Sequence, residues 1–553
     1  TRYSPNLTEV TYAGTMNDGA IDFEYTASVG RSDDMTRGIY KLKLKVNEEL
    51  KQHFRPEFLN RLDDVIVFHQ LTRPEILQIV ELMITSLDDR LKDKDMGLIL
   101  TDQAKELLVD KPDIVIIITD QERATQYFPE GWEQENLPTL TKLKDNGFTF
   151  DKAFCNSCMC TPSRATLFTG TYPSQHQCTE TLTTGGIYSP GEIQLNNKSN
   201  NIGKMLDSIG YDVQYRGKWH LSKGADGGDP LAKEISLYGF KGWVGPDAGE
   251  DAKPENFGGG YPNADARYVK EGIEYLEQVR ISRQKGEPRK PYCLVLSLVN
   301  PHDVLGYPKS VQFGYTPDEY TGRTITDLPP TVTEQLLKNG KPMAQLQTNI
   351  AADGLLGVLR NDDMKLNYLN FYAYLLTKID GEIGKFIDVL YDDTKGSRLA
   401  DDAVVIRLAD HGEMGMSHGG MRQKAFVAYE EALRIPMVIS NPIVFNKKES
   451  SDELATLIDI FPTISEIVGV PKDSNARGES LIPIIEEGKS VQDSILFTFD
   501  DTKSGSNNLP SSVKATNRLR AIRTHDWKYT YYFDSLGRYQ KAVSYTHLTL
   551  PTI

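Results

Sequence analysis

Ile114-Val115-Ile116-Ile117-Ile118-Thr119 is an unbroken apolar, largely β-branched run that stops at Asp120-Gln121. It shows no polar alternation, so both faces of the segment must be covered. That predicts a buried parallel strand with polar residues at its carboxyl end. Ala403 to Ala409 repeats the pattern and stops at Asp410-His411-Gly412-Glu413. Tyr292 to Val299 is a third such strand and closes on Asn300-Pro301-His302-Asp303. Tyr211 to Arg216 reads as a fourth and leads into Gly217-Lys218-Trp219-His220. In open α/β sheets ligands bind outside the carboxyl ends of the strands. A lone aspartate at a strand end is ordinarily a cap or turn residue. Asp-Gln and Asp-His delivered to one rim instead make an oxygen-rich site of the kind hard divalent ions prefer.

Between those two strands lies Cys160-Thr161-Pro162-Ser163-Arg164, continuing through Leu167-Phe168-Thr169-Gly170 to Tyr172-Pro173. Thr161-Pro162-Ser163 reads as a helix opening, because proline suits the first turn. Residue 160 would then stand where backbone N–H groups and the helix dipole favour an anion. Cys155 and Cys158, with Cys178 downstream, offer zinc or disulfide readings. No second pair has matching knuckle spacing, so small buried residues are the preferred reading.

The stretch from Cys160 to Gly170 resembles the signature of the sulfatase family, in which the cysteine of C-x-P-S-R is oxidised to formylglycine. The resemblance implies an α/β fold like that of alkaline phosphatase: a large mixed, mostly parallel sheet sandwiched by helices, with a small C-terminal antiparallel subdomain. The implied reaction is hydrolysis of a sulfate monoester. One hydroxyl of the hydrated aldehyde attacks sulfur; the other loses its proton and lets sulfate leave. By the same resemblance Asp120, Gln121, Asp410 and His411 are metal ligands together with residue 160. The ion would be Ca2+, with Mg2+ or Mn2+ as alternatives. Arg164, Lys218 and Lys424 would neutralise charge, with Arg164 close enough to pair with residue 160 or the sulfate. His220 and His302 would handle protons. His418 reads as a loop histidine first and a substrate contact second. Asp-Gln and Asp-His at the ligand positions look more like the choline-sulfatase and phosphonate-monoester-hydrolase branch. Phosphonate or phosphate ester hydrolysis is therefore the alternative reaction. The implied partners are a small-molecule or carbohydrate sulfate ester and, during maturation, a formylglycine-generating enzyme.

Residues 1–111 differ in character. Phe54-Arg55-Pro56-Glu57-Phe58-Leu59-Asn60-Arg61-Leu62-Asp63 closely resembles the end of a Clp-type AAA+ module. Leu71 to Leu91 has apolar residues at helical spacing, like that module's small lid. No G-x-x-x-x-G-K-S/T phosphate loop occurs anywhere in the chain. This mainly helical AAA+ lid-like fragment is therefore expected not to hydrolyse ATP. The expected division is 1–111 for that fragment, 112–485 for the catalytic domain and 486–542 for its C-terminal subdomain. Residues 543–553 resemble translated sequencing-adapter sequence. A misassembled reading frame is the preferred account of both ends, a genuine fusion the alternative. A reading from another class is a non-catalytic Clp-lid module carrying an inactive hydrolase domain.

The net charge of −15 argues against nucleic acid as a partner. No run of eighteen apolar residues occurs, so no membrane span is expected. Five cysteines do not suggest a disulfide framework. The default location is cytoplasmic, with a signal peptide lost at the fusion point as the alternative. In the insert from Val304 to Asp362, Tyr307, Phe313, Tyr315 and Tyr320 could stack on a leaving group or pack the loop.

Overall fold

The computed structural model describes residues 7–17, 20–29, 111–125, 128–248, 263–322, 324–396, 398–445, 447–503, 513, 516–534 and 540–546. The chain divides into two units, Thr1–Lys111 and Pro112–Ile553. In the first, the described residues form an antiparallel pair, β1 (Leu7–Asn17) and β2 (Ala20–Val29). The Clp-like stretch with Arg61 and the helical repeat over 71–91 lie outside the described residues. So do residues 547–553.

The second unit is built on a seven-stranded sheet. Its strands are β3 (Asp113–Asp120), β4 (Gly147–Phe154), β5 (Asp212–Gly217), β6 (Tyr292–Pro301), β7 (Ala403–Ala409), β8 (Met437–Ser440) and β9 (Glu449–Thr456). They lie in the order β5-β6-β3-β7-β8-β4-β9. Strands β5, β6, β3 and β7 are mutually parallel, while β8 runs against both β7 and β4. The sheet is thus mixed and mostly parallel, as expected. Strand β8 begins just after Ile435-Pro436 and runs antiparallel to β7.

The lack of alternation in β3 is explained by two cores. Ile114, Ile116 and Ile118 face one of them, with Leu167, Phe168, Phe461 and Ile464. Val115 and Ile117 face the other, with Leu140, Leu276, Leu375 and Leu376. The helices supplying these residues are α1 (Pro138–Asp145), α2 (Cys160–Thr169), α3 (Ala264–Gln284), α4 (Asp362–Tyr391) and α5 (Ile460–Ile467). Full burial of each isoleucine side chain contributes about 1.5–3 kcal/mol.

A four-stranded antiparallel sheet closes the described chain: β10 (Ile495–Phe499), β11 (Arg518–Arg523), β12 (Trp527–Phe533) and β13 (Gln540–Thr546). It docks through Tyr532, whose hydroxyl donates to the Phe426 carbonyl at 3.1 Å, and through a 2.8 Å Lys528–Glu430 ion pair. In the insert, Tyr315 and Tyr320 are buried against Phe371, with ring centroids 5.0 and 4.7 Å away. These rings pack the loop. Among the described residues no helix is long and apolar enough to cross a membrane.

Candidate active site

Three strand ends and one helix start converge on a single buried spot. Strand β3 delivers Asp120, and the chain then turns through Gln121 in a left-handed conformation (φ 67). Asp410 follows β7 directly, its N–H donating to the Thr119 carbonyl at 3.1 Å. Cys160 opens α2, with Pro162 in the first turn as predicted. Gly217 ends β5 at φ 101, where a Cβ would lie 1.8 Å from the Ser297 carbonyl oxygen. Only glycine lets the Lys218 turn approach β6 so closely.

The Cys160 sulfur lies 3.5 Å from Asp120 Oδ1, 3.3 Å from His411 Nε2 and 3.7 Å from Lys218 Nζ. Asp120, Cys160, Asp410 and His411 offer ligand atoms that all fall within 4.8 Å of one another, and all four are buried. The His411 Nδ1–H donates to the Gly412 carbonyl at 3.2 Å, which leaves the Nε2 lone pair for the cluster. Two carboxylates and an imidazole in this arrangement form a divalent-metal-binding cluster. The nearby Gln121 amide oxygen would add a further hard donor.

Positive charge surrounds the carboxylates. Lys218 Nζ sits 2.6 Å from Asp120 Oδ2. The fully buried Arg164 donates through Nε to Asp410 at 3.0 Å and through Nη2 to Asp120 at 3.1 Å. Its Nη1 donates to Ser297 Oγ at 2.7 Å and to the Lys218 carbonyl at 3.1 Å. Arg164, expected to reach residue 160 or the anion, therefore clamps the two carboxylates and ties them to β6 and to the turn after β5. Burial pushes the Asp120 carboxyl up, but Lys218, His302, Arg164 and His411 together hold it well below the usual carboxylate range. Burial also pushes the His411 imidazole below its ordinary value, against the pull of Asp410.

Lys424 is buried and donates to Gln121 Oε1 at 2.6 Å, so it too reaches the site. His302 is buried at the end of β6 and acts electrostatically on Asp120. His220 lies on the turn after β5. Its Nε2–H donates to the Leu182 carbonyl at 2.7 Å, and its own carbonyl accepts from Thr161 Oγ1 at 2.9 Å. His418 bonds Glu334 at 2.7 Å and stacks on Tyr429 at 3.7 Å, linking the insert to the core. The Cys155 and Cys158 sulfurs are 3.8 Å apart and buried.

Several residues that organise the site were given no role by the sequence. Asp247 accepts from the Trp219 and His220 N–H groups, both at 2.8 Å, and fixes the turn that holds Lys218. Asp265 accepts from Val299 N at 2.6 Å and from Asn300 N and Nδ2 at 3.1 and 2.8 Å, which sets the path into His302. Burial pushes each of these two carboxyls up to about 6, against the lowering effect of their backbone donors. Glu413 bonds Gln121 from behind.

The sulfatase family model matches residues 112–470, and the C-terminal model of N-sulphoglucosamine sulphohydrolase matches 418–541. The C-terminal D2-small domain of ClpB protein matches 71–112. An N-acetylglucosamine-6-O-sulfatase of Bacteroides thetaiotaomicron is 24% identical over 480 residues, covering 78% of this chain and 80% of its own. A ClpA homolog of Porphyra purpurea, an ATP-binding subunit of the Clp protease, is 47% identical over 94 residues, 17% of this chain and 11% of its own. A short Clp-like fragment thus precedes the catalytic domain. Among solved structures, one in complex with its substrate D-glucosamine-2-N,6-O-disulfate superposes with a TM-score of 0.58 at 18% identity, covering 79% of this chain and 91% of its own. A phosphonate monoester hydrolase of Agrobacterium radiobacter gives 0.55 at 18%, covering 79% and 89%.

Proposed function

The chain belongs to the sulfatase family, hydrolases of the alkaline phosphatase superfamily, and from that premise we propose that it cleaves sulfate monoesters of carbohydrates with residue 160, converted from cysteine to formylglycine, as nucleophile. The observation that carries this reading is the seat of residue 160. It is fully buried at the start of α2, between two carboxylates, an imidazole and an ammonium group. That seat favours an oxygen nucleophile and a developing anion.

Asp120, Asp410, His411, residue 160 and the amide oxygen of Gln121 would hold a divalent cation. Ca2+ suits the oxygen-rich donor set, with Mg2+ or Mn2+ as alternatives. When bound, such an ion supplies Lewis-acid polarisation of the sulfate oxygens. The chain's own groups do the rest. Lys218 and Lys424 place ammonium groups against the anion, and Arg164 keeps both carboxylates aimed and helps hold Asp120 ionised. His302, buried at the end of β6, delivers a proton to the departing alcohol as general acid. His220 holds the Thr161 and Leu182 segments beside residue 160 and is the second candidate for proton transfer.

A carbohydrate leaving group is suggested by the sulfated-sugar substrate of one structural relative and the aminosugar sulfatase among the sequence relatives. Maturation would require a formylglycine-generating enzyme. The test has two parts. The mass of the tryptic peptide holding residue 160 should show thiol-to-aldehyde conversion. The converted protein should release sulfate from sulfated aminosugars. Fully converted protein that releases none from a broad panel of sulfated sugars would sink the proposal.

A second reading is phosphonate ester hydrolysis, favoured by the Asp-Gln and Asp-His pairs and by the likeness to a phosphonate monoester hydrolase. Side-by-side rates on sulfate and phosphonate monoesters separate the two.

A further inference from the structure

Glu413 closes the Asp410-His411-Gly412-Glu413 run and bonds Gln121, the chain neighbour of Asp120. It is fully buried. Its Oε1 accepts from Tyr368 OH at 2.6 Å, Gln423 N at 2.9 Å and Gly415 N at 3.2 Å. Its Oε2 accepts from Gln121 Nε2 at 2.5 Å. The same Gln121 nitrogen donates to Gln423 Oε1 at 3.3 Å. Both N–H groups of the Gln121 amide are therefore taken by acceptors on one side. Its oxygen is turned to the other side, where Lys424 Nζ donates to it at 2.6 Å. The reversed amide would set oxygen against a carboxylate and NH2 against an ammonium, so the chemistry of the neighbours fixes which end is which.

We propose that Glu413 is a positioning residue that forces Gln121 to present its amide oxygen to the divalent cation, and so makes a neutral glutamine serve as a hard ligand. Three donors hold Glu413 in place, and the carboxylate cannot offer Gln121 anything but an acceptor. Without Glu413, only Lys424 would remain to oppose rotation of the Gln121 NH2 toward the ion. The inference rests on the cation reading of the Asp120–Asp410–His411 cluster.

The reciprocal exchange of the two side chains tests it. In E413Q the new amide oxygen can keep the Tyr368, Gln423 and Gly415 donors, but its NH2 then opposes the NH2 of Gln121. Gln121 must turn, and NH2 faces the ion. The purified full chain, stripped with chelator, is titrated with Ca2+ by calorimetry. E413Q should bind Ca2+ about 10- to 100-fold more weakly, the usual loss when a partner behind a ligand is removed. Q121E/E413Q restores an amide donor at 413 against a carboxylate acceptor at 121 and should recover most of that affinity. Q121E alone, which sets two carboxylates against each other, should bind less tightly than the double variant.

E413Q with unaltered Ca2+ affinity would overturn the inference. So would a double variant as weak as E413Q. Should E413Q not fold, Y368F removes one of the three donors holding Glu413. Weaker Ca2+ binding then supports the assignment and unchanged binding overturns it. Unsubstituted protein that takes up neither Ca2+, Mg2+ nor Mn2+ defeats the cation reading itself, a result distinct from any pattern among the variants.

Discussion

Asp120 and Asp247 are both buried beside the strand ends that carry the site, and burial pushes both carboxyls upward. For Asp120 that push is outweighed by the charges of Lys218, His302, Arg164 and His411, and the group is held well below the usual range. Around Asp247 stand two backbone N–H groups and a more remote Lys218 charge. They do not overcome burial, and the carboxyl is pushed up to about 6. Asp459 ends in the same place as Asp247, with Thr456, Glu479 and Gln492 as its donors. Depth alone therefore does not decide what a buried aspartate does. Full positive charges keep one ionised and ready for a cation. Backbone dipoles make the other a loop clamp that tolerates a proton.

The sharpest way to break this contrast is to neutralise each carboxylate by an isosteric amide. D120N leaves Lys218 and Arg164 short of a counter-charge in a dry site. It should destabilise the fold by about 3–5 kcal/mol, as expected for a broken buried ion pair, and abolish both Ca2+ uptake and sulfate release. Thermal melts, calorimetry and a sulfate assay read the three effects, and preserved turnover would contradict the assignment. D247N should act more gently. Its amide can accept only one of the two N–H groups without setting donor against donor, a loss of about 1–3 kcal/mol. Turnover should fall about 100-fold as the Lys218 turn shifts, in line with small misplacements of catalytic groups. Ca2+ affinity should stay as it was. Loss of the cation in D247N would mean that the two aspartates are not separate in role.

The same contrast explains what could be read from the sequence. Asp120 and Asp410 end apolar runs whose own pattern announces buried strands, and Cys160 sits in a helix opening with Pro162 behind it. Those signals are local. Asp247 and Asp265 carry none, and Glu413, although it ends the polar run after β7, carries no sign of its partner. Asp247 serves backbone groups 27 and 28 residues earlier, and Asp265 serves groups 34 and 35 residues later. Glu413 acts on Gln121 across 292 residues. Arg164 could be assigned to the site from its spacing, but its bonding to two carboxylates needed the folded positions of β3 and β7. Likewise nothing local in residues 437–440 gives the direction of β8, which runs against both β7 and β4.

Smaller effects should appear with pH. The Asp247 carboxyl titrates near 6 in the fold and near 3.8 unfolded. The native protein thus holds a proton that the unfolded chain has released. Stability from this group is whole below 3.8 and is lost as pH rises through about 6. The deficit of D247N relative to the unsubstituted protein should therefore be larger at pH 5 than at pH 7 in denaturant titrations. A deficit independent of pH would show that Asp247 stays ionised and would erase its difference from Asp120.

His176 supplies the counter-example on the basic side, with the smallest effect. Its ring is buried, accepts at Nδ1 from Cys178 N at 3.2 Å and donates from Nε2 to Thr166 Oγ1 at 3.0 Å. Burial pushes its pKa down to about 3 from 6.5. As pH falls through 6.5 the unfolded chain takes up a proton that the native ring refuses. Stability from this group is thus whole above 6.5 and is lost toward about 3, opposite in sign to Asp247. H176Q removes the titration while keeping a donor and an acceptor. Between pH 7 and 5 the unsubstituted protein should lose stability more steeply than H176Q. Equal slopes would mean that the folded ring accepts its proton, and that a neutral hydroxyl and a backbone N–H can stabilise a buried charge as Asp120's partners do.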